Sequence, residues 1–229
     1  LNRKKEMLPD DPAVWIQTTW EGGIRPIKLA PYSRDMLDVY KHNMLTVAML
    51  SSSHGKGNFD LKAGDRVLYG GAPLPYATGL IPSLLSEELD LEWLPDANDK
   101  GSGFSERIKE GFKMGQKGGI DYFFGIGSVA NYITENFSKA TGSGHHSGSV
   151  SPSIALRYLK AKHSANKTGK PVKPGDVFHL KGLISAGTDA ACYRKSLQDA
   201  WGTVPMEIAA GTESTCIGAE TWKHNGMVF

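Results

Sequence analysis

Cysteine is scarce: Cys192 and Cys216 are the only two in 229 residues, with no Cys-x-x-Cys pair and no histidine at ligand spacing. That scarcity excludes a disulfide framework and argues against a structural zinc site, leaving two reduced thiols that behave as small hydrophobes. Long apolar runs are also missing. None approaches the ~20 residues a membrane span requires, and the polar start "LNRKKEMLPDD" lacks the apolar segment of a secretory signal. A reducing cytoplasm is the expected compartment. Charge of one sign does not dominate either, because 26 Lys and Arg are interspersed with 24 Asp and Glu for a net +2. No basic stripe suits a phosphate backbone, so nucleic acid is not an expected partner. Two catalytic signatures are absent. "SSHGKGN" lacks the first glycine and final hydroxyl of a G-x-x-x-x-G-K-[ST] loop, and no G-x-S-x-G elbow offers a serine nucleophile. His145 and His146 are adjacent and would bind a metal only with ligands from elsewhere; they read as part of a solvated loop.

What is present is an alternation of strand and helix. With 40% hydrophobic and 22% charged residues the chain is ordinary for a globular protein with a sizeable core. Val14-Trp15-Ile16 reads as a short buried strand, breaking at the Gly/Pro loop "TTWEGGIRP" before Ile27-Lys28-Leu29. In "SRDMLDVYKHNMLTVAML" the residues Met36, Leu37, Tyr40, Met44, Leu45, Ala48 and Met49 recur at helical spacing behind Ser33, a suitable N-cap. Strand Arg66 to Tyr69, helix "YATGLIPSLLSEEL", strand "LEWLP" and helix "GFSERIKEGFKMGQKGG" follow, the last with Phe104, Ile108, Phe112 and Met114 inward. Next come strand "IDYFFGIG", helix "SVANYITENF" and the Gly/Ser-rich "SKATGSGHHSGSVSPS", which reads as a mobile surface loop. Helix "SIALRYLKAKHS", a strand in "VFHLKGLISAG", helix "ACYRKSLQDAWG" closed by Gly202 and strand "MEIAAG" complete the rhythm, and the tail turns at Asn225-Gly226. A β-α-β rhythm of this kind predicts a parallel sheet.

Gly125, Gly127 and Ala130 match G-x-G-x-x-A, but the region ~20 residues on, where a dinucleotide fold carries an acid, is "GSGHHSGS". The match is therefore read as a tight strand-to-helix turn. Three other stretches stand out together. "QTTWEGGIRPIK" places hydroxyls, glycines and a lysine in a loop after a strand; "GLISAGTDAAC" ends a strand in small residues; "MEIAAGTES" ends one in glycine, a hydroxyl and a carboxylate. Small residues at strand ends let a backbone approach a nucleotide. Hydroxyl-plus-glycine loops donate to phosphates, and a neighbouring carboxylate can hold magnesium.

In this order the stretches resemble the acyl-adenylate-forming superfamily, most of all the Gretchen Hagen acyl acid-amido synthetases and then phenylacetate-CoA ligase. The resemblance runs over about residues 14 to 229, and Gly-Thr-Glu is its cleanest match. It implies an α/β fold with a mixed, largely parallel sheet flanked by helices, part of the large N-terminal domain of an adenylate-forming enzyme. Residues 1–229 would be an incomplete adenylation domain, with the lysine-bearing C-terminal domain and a ribose-binding Asp beyond Phe229. The implied activity joins ATP, with Mg²⁺, to a small carboxylic acid and passes the acyl group to an amine or to CoA. Thr18, Thr19, Gly22 and Gly23 would belong to the phosphate loop, Lys28 to its end, and Ala186, Gly187 and Thr188 to the adenine site. Gly211 and Thr212 would lie at the α-phosphate, with Glu213 on the metal; Lys28, Thr212 and Glu213 are the candidate catalytic residues. Tyr76, Phe124 and Tyr132 are candidate pocket aromatics. Trp20-Glu21-Gly22 replaces the family's small Gly-hydroxyl-hydroxyl core, and an anion at Glu21 repels a triphosphate unless magnesium or Lys28 intervenes. That departure keeps open a second reading, a binding module of the same fold without turnover.

Overall fold

The computed structural model describes residues 8, 10–18, 28–96, 103–142, 150–187 and 190–229. The chain opens with β1 (Val14–Gln17) and β2 (Leu29–Tyr32), which pair antiparallel with Val14 opposite Tyr32. They form a ribbon of their own, outside the main sheet. Its period-2 alternation buries Ile16 and Tyr32 and leaves Trp15 41% exposed, so only one face of the expected buried strand is covered.

Helix α1 (Arg34–Ser51) starts where Ser33 Oγ accepts the Met36 N–H at 3.2 Å. It buries Tyr40, Met44, Val47 and Ala48, while Met36, Leu37, Leu45 and Met49 on the flanks of that stripe are half-buried. A small hairpin, β3 (Ser53–Gly55) with β4 (Asn58–Phe59), turns through Gly57 at φ +72°, too short for any periodicity to reveal. β5 (Arg66–Gly70) leads through a 3₁₀ turn, Ala77–Leu80, into α2 (Ile81–Ser86) and then β6 (Glu92–Leu94). The helix expected over this whole stretch begins late because Pro82 has no N–H to give and sits only in a first turn.

Helix α3 (Phe104–Gly118) starts where the Glu106 carboxylate accepts the Gly103 N–H at 3.2 Å and ends where Gly119, at φ +100°, donates to Gly115 O. Ile108 and Phe112 face the core as expected, whereas Phe104 is exposed. β7 (Tyr122–Ile126) passes directly into α4 (Gly127–Gly142), which continues into the segment expected as a Gly/Ser loop; residues 143–149 of that segment lie outside the described residues. α5 (Pro152–Thr168), β8 (Gly182–Ala186) and α6 (Ala190–Trp201) come next. Last are β9 (Met206–Gly211), β10 (Thr215–Glu220) and β11 (Met227–Val228).

The main sheet runs β11-β10-β9-β8-β7-β5-β6. The strands from β6 to β9 are parallel, and the β9–β10–β11 edge is antiparallel, which is the mixed, largely parallel sheet expected. Adjacent strand residues feed opposite layers. Phe123 and Leu183 pack with Phe112, Phe137, Phe178 and Trp201 from α3, α4, α6 and the connections between them. Phe124 and Ile184 pack with Ile16, Tyr32, Tyr40 and Met44 from the ribbon and α1. Each such side chain, fully buried, contributes roughly 1.5–3 kcal/mol. The tight turn read from Gly125 and Gly127 is real, for two packing reasons. A Cβ at Gly125 would come 2.5 Å from the backbone of Gly70 on the neighbouring strand, and one at Gly127 would come 2.7 Å from Ser185 Oγ. Both cysteines are free, and among the described residues no helix is long and apolar enough to cross a membrane.

Candidate functional site

In a largely parallel sheet the strands β5, β7, β8 and β9 end on one edge, the edge where such sheets take ligands. β9 ends at Gly211, Thr212–Ser214 make the turn, and Thr215 pairs back with Gly211 to start β10. Gly-Thr-Glu therefore sits on the tip of a hairpin. Thr215 is buried and takes φ +56°, a left-handed conformation that β-branched residues avoid, at the residue where the chain leaves the turn for β10. Backbone strain of this sort costs roughly 1–3 kcal/mol and persists only where its surroundings hold it. The surroundings here are specific. Arg194 of α6 bonds Glu207 and Glu220 of the hairpin stem at 3.0 Å, and Asn43 Nδ2 of α1 donates to Cys216 O at 2.9 Å. At the tip itself, Tyr32 Oη donates to Thr212 O at 2.5 Å across 180 residues of chain.

Tyr32 is 0% exposed. Burial first, and then the Glu213 charge, push its hydroxyl up to about 12, so it is a protonated donor at neutral pH. The bond joins the Gly-Thr-Glu turn to the β1–β2 ribbon.

That ribbon supplies the opposite wall. The Thr18 N–H donates to Lys28 O at 3.0 Å, and the Gln17 N–H donates to Pro75 O at 2.9 Å. Between the walls lies an open cleft of about 410 Å³, with Thr18, Lys28, Ala30, Pro31 and Met36 on one side and Glu213 on the other. Thr18 Oγ1 is buried and has no hydrogen-bond partner among the described residues. A buried hydroxyl in that state is open to a hydrogen bond from water or a bound ligand. Glu213 is exposed on the cleft's lip, and no cation among the described residues forms a salt bridge with it. The cleft thus gathers an ammonium, a free hydroxyl and a carboxylate. No group of three or more His, Cys, Asp or Glu that could cage a metal exists among the described residues. Mg²⁺ fits this donor set only in its usual manner, on one carboxylate with the remaining oxygens from a bound phosphate and water.

The next strand, β8, ends in Ala186, opposite Ile208 of β9, and in Gly187, whose φ of +118° favours glycine. Ala186 and Ala210 border a small enclosed cavity of about 40 Å³ beneath the strand ends. The structure therefore brings Thr18, Lys28 and Glu213 into one cleft, puts Gly211 and Thr212 on the hairpin that carries Glu213, and sets Ala186 and Gly187 at the end of the strand beside it. Thr19, Gly22, Gly23 and Thr188, with Trp20, Glu21 and Arg25, lie outside the described residues. Of the expected pocket aromatics, Phe124 lines the small cavity, Tyr76 does not, and Tyr132 is 51% exposed on α4. Tyr32 and Met36 are among the site residues that sequence reasoning missed, with Leu29, Ala30 and Pro31 of the cleft wall. The only signal for Tyr32 was the alternation of Ala30 and Tyr32 along β2.

No protein-family model matches the chain, and no curated protein matches it. Solved structures do. The AtGH3.15 acyl acid amido synthetase in complex with 2,4-DB aligns with a TM-score of 0.60 at 12% identity, covering 91% of this chain and 42% of that one. A 2-hydroxyisobutyryl-CoA ligase in complex with 2-HIB-AMP and CoA, in its thioesterification state, aligns with a TM-score of 0.57 at 14% identity, covering 99% and 42%. The fold is that of the acyl-adenylate-forming enzymes. A malonyl-CoA ligase ternary product complex with methylmalonyl-CoA and AMP shows the same adenylate-forming architecture at a TM-score of 0.50 and 18% identity, over 93% of this chain. The chain spans about two fifths of the length of these structures, 36–42%. At such identities the likeness is one of architecture.

Proposed function

We propose that this chain forms the nucleotide-binding part of an adenylation domain, in an enzyme that activates a carboxylic acid as its acyl-adenylate. The substrate carboxylate attacks the α-phosphorus of ATP, the bond to the β-phosphate oxygen breaks, and acyl-AMP and pyrophosphate result. An amine or the thiol of CoA then takes the acyl group and releases AMP. The observation that supports this reading is the 410 Å³ cleft, where Thr18 and Lys28 from one end of the chain meet Glu213 from the other, at the strand-end edge of an adenylate-forming fold.

Such a reaction asks the protein for charge neutralisation and in-line positioning rather than a covalent step. Lys28 offers a positive charge to the polyphosphate and the unpartnered Thr18 hydroxyl a donor, and Thr212, next to Glu213 in the turn, would bring a hydroxyl to the α-phosphate. Thr19, Gly22 and Gly23, which lie between Thr18 and Lys28 in sequence, would supply further donors, and Ala186, Gly187, Thr188 and Gly211 would leave room for the adenine. Glu213 would hold Mg²⁺, which when bound would supply charge neutralisation for the polyphosphate.

The test is Glu213→Gln in the full-length polypeptide, read by acid-dependent ATP–pyrophosphate exchange beside a thermal melt. Loss of a single electrostatic stabiliser costs about 10²–10³ in kcat, and the melt is expected to stay unchanged because Glu213 is exposed. Exchange at the unmodified rate removes Glu213 from the mechanism. Trp20 and Glu21, in place of small residues, favour a second reading in which nucleotide is bound without turnover. Mg·ATP binding by calorimetry with no exchange for any acid supports that one.

A further inference from the structure

The small enclosed cavity at the ends of β5, β7, β8 and β9 bears on which acid is used, and its assignment rests on the proposed adenylating function. Its walls are Met44, Ile81, Phe124, Ile126, Ile208 and Ala210, with Tyr40, Tyr69 and Thr78 at the margins. None of the lining side chains is charged. Every hydroxyl at the margin already donates to a main-chain carbonyl: Tyr40 Oη to Ala77 O at 3.4 Å, Tyr69 Oη to Thr78 O, and Thr78 Oγ1 to Ala72 O at 2.7 Å. A guest in this space finds no free side-chain donor, so an anionic or acceptor group placed there loses its water without replacement; the hydroxyl oxygens remain only as acceptors.

Size narrows the guest further. The cavity measures about 40 Å³, whereas an apolar cavity of about 150 Å³ is what accepts benzene. A nucleobase or an aromatic ring does not fit; a short alkyl group, methyl to propyl, does. Two glycines of its lining leave no room for a side chain: a Cβ at Gly125 would meet the Gly70 backbone, and one at Gly71 the Tyr69 ring. Ala186 and Ala210 border the cavity, and their chains run on into Gly187 and into Gly211-Thr212-Glu213. A hydrocarbon tail in the cavity thus leaves its carboxylate toward the turn that carries Glu213.

We infer that the substrate acid is a short, unsubstituted aliphatic monocarboxylate of about two to four carbons, its tail seated in this cavity. Hydroxy acids, dicarboxylates, amino acids and aromatic acids are discriminated against, in contrast to the acids named in the 2-hydroxyisobutyryl- and malonyl-CoA ligase structures of the same fold.

The experiment is ATP–pyrophosphate exchange by the full-length polypeptide with acetate, propionate, butyrate, hexanoate, benzoate and 2-hydroxyisobutyrate, with Mg·ATP binding measured separately. Expected is a kcat/KM maximum among the first three acids and a fall of about tenfold or more per further methylene. Met44→Ala, and Ile208→Val should the first fail to fold, are expected to move the optimum toward longer acids. A maximum at hexanoate, benzoate or 2-hydroxyisobutyrate overturns the inference and leaves adenylation standing. Mg·ATP binding with no exchange for any acid also overturns the inference, and it favours nucleotide binding without turnover over adenylation. If Mg·ATP does not bind, the adenylating function fails instead. The cavity is then judged by saturation-transfer NMR with propionate: a signal lost in Ile208→Phe supports an apolar short-chain site, and no signal overturns it.

Discussion

Replacing Tyr32 by phenylalanine removes one oxygen and leaves the ring, which stays edge-on to Tyr40 at 6.5 Å between centroids. What is lost is the bond to Thr212 O, the direct tie between the ribbon and the Gly-Thr-Glu turn. A net hydrogen bond is worth about 0.5–1.5 kcal/mol, and a carbonyl left buried without a partner costs about 1–3. Thr212 is half-buried, so water reaches part of the vacated acceptor and the lower half of that range applies, about 1–2 kcal/mol. For a chain of this size each kcal/mol lowers Tm by about 2–4 °C, which makes the expected drop about 2–8 °C. If the bond also positions Glu213 against the cleft, the same free energy is withdrawn from Mg·ATP binding, about 5–30-fold in Kd. Calorimetric titration and thermal melts on the full-length protein read the two effects separately. Amide exchange at residues 211–215 is expected to quicken while the sheet stays protected. A Tyr32→Phe protein with lowered Tm but unchanged Mg·ATP affinity would falsify the positioning role and leave the tyrosine a structural clasp.

Gly125→Ala is expected to destabilise by about 1–3 kcal/mol, the cost of overpacking, since its Cβ meets the Gly70 backbone at 2.5 Å; Gly55→Ala, whose Cβ meets nothing within 4 Å, serves as a near-neutral control in the same urea titration. Equal midpoints for the two variants contradict the close strand approach. Stability is also expected to fall at alkaline pH, because the fold raises the Tyr32 hydroxyl from 10.0 to about 12 and so favours its protonated form. The stabilisation is complete below pH 10 and is lost as pH climbs from 10 toward 12, with Tyr40 and Tyr122, also raised by burial, adding to the loss. Tyr32→Phe is expected to show a shallower decline over that window, and identical slopes would count against the coupling.

Much of the chain was legible before folding, for a local reason. Helices α1, α3 and α6 are written in 3.6-residue periodicity and in their own termini, Ser33 at one start and Gly119 and Gly202 at two ends, because capping and amphipathicity concern residues a few positions apart. The Gly-Thr-Glu ending of β9 could likewise be seen as an acceptor and an anion at a strand's end. Local pattern reached less far where neighbours in sequence do not decide. It placed the end of α4 in a loop and passed over the Lys56-Gly57 hairpin. It could not show that β1 and β2 leave the main sheet to form a ribbon, because two short strands look alike whether they pair with each other or with distant partners. The resemblance to adenylate-forming enzymes named Thr18, Lys28 and Glu213 as parts of one site. Their meeting in a cleft, however, depends on sheet order and on the packing of α1 and the ribbon against β9. Those long-range contacts are what only the tertiary structure decided. Tyr32 shows the difference most plainly: along the chain it is a strand aromatic ahead of a helix cap, and its partner lies 180 residues away.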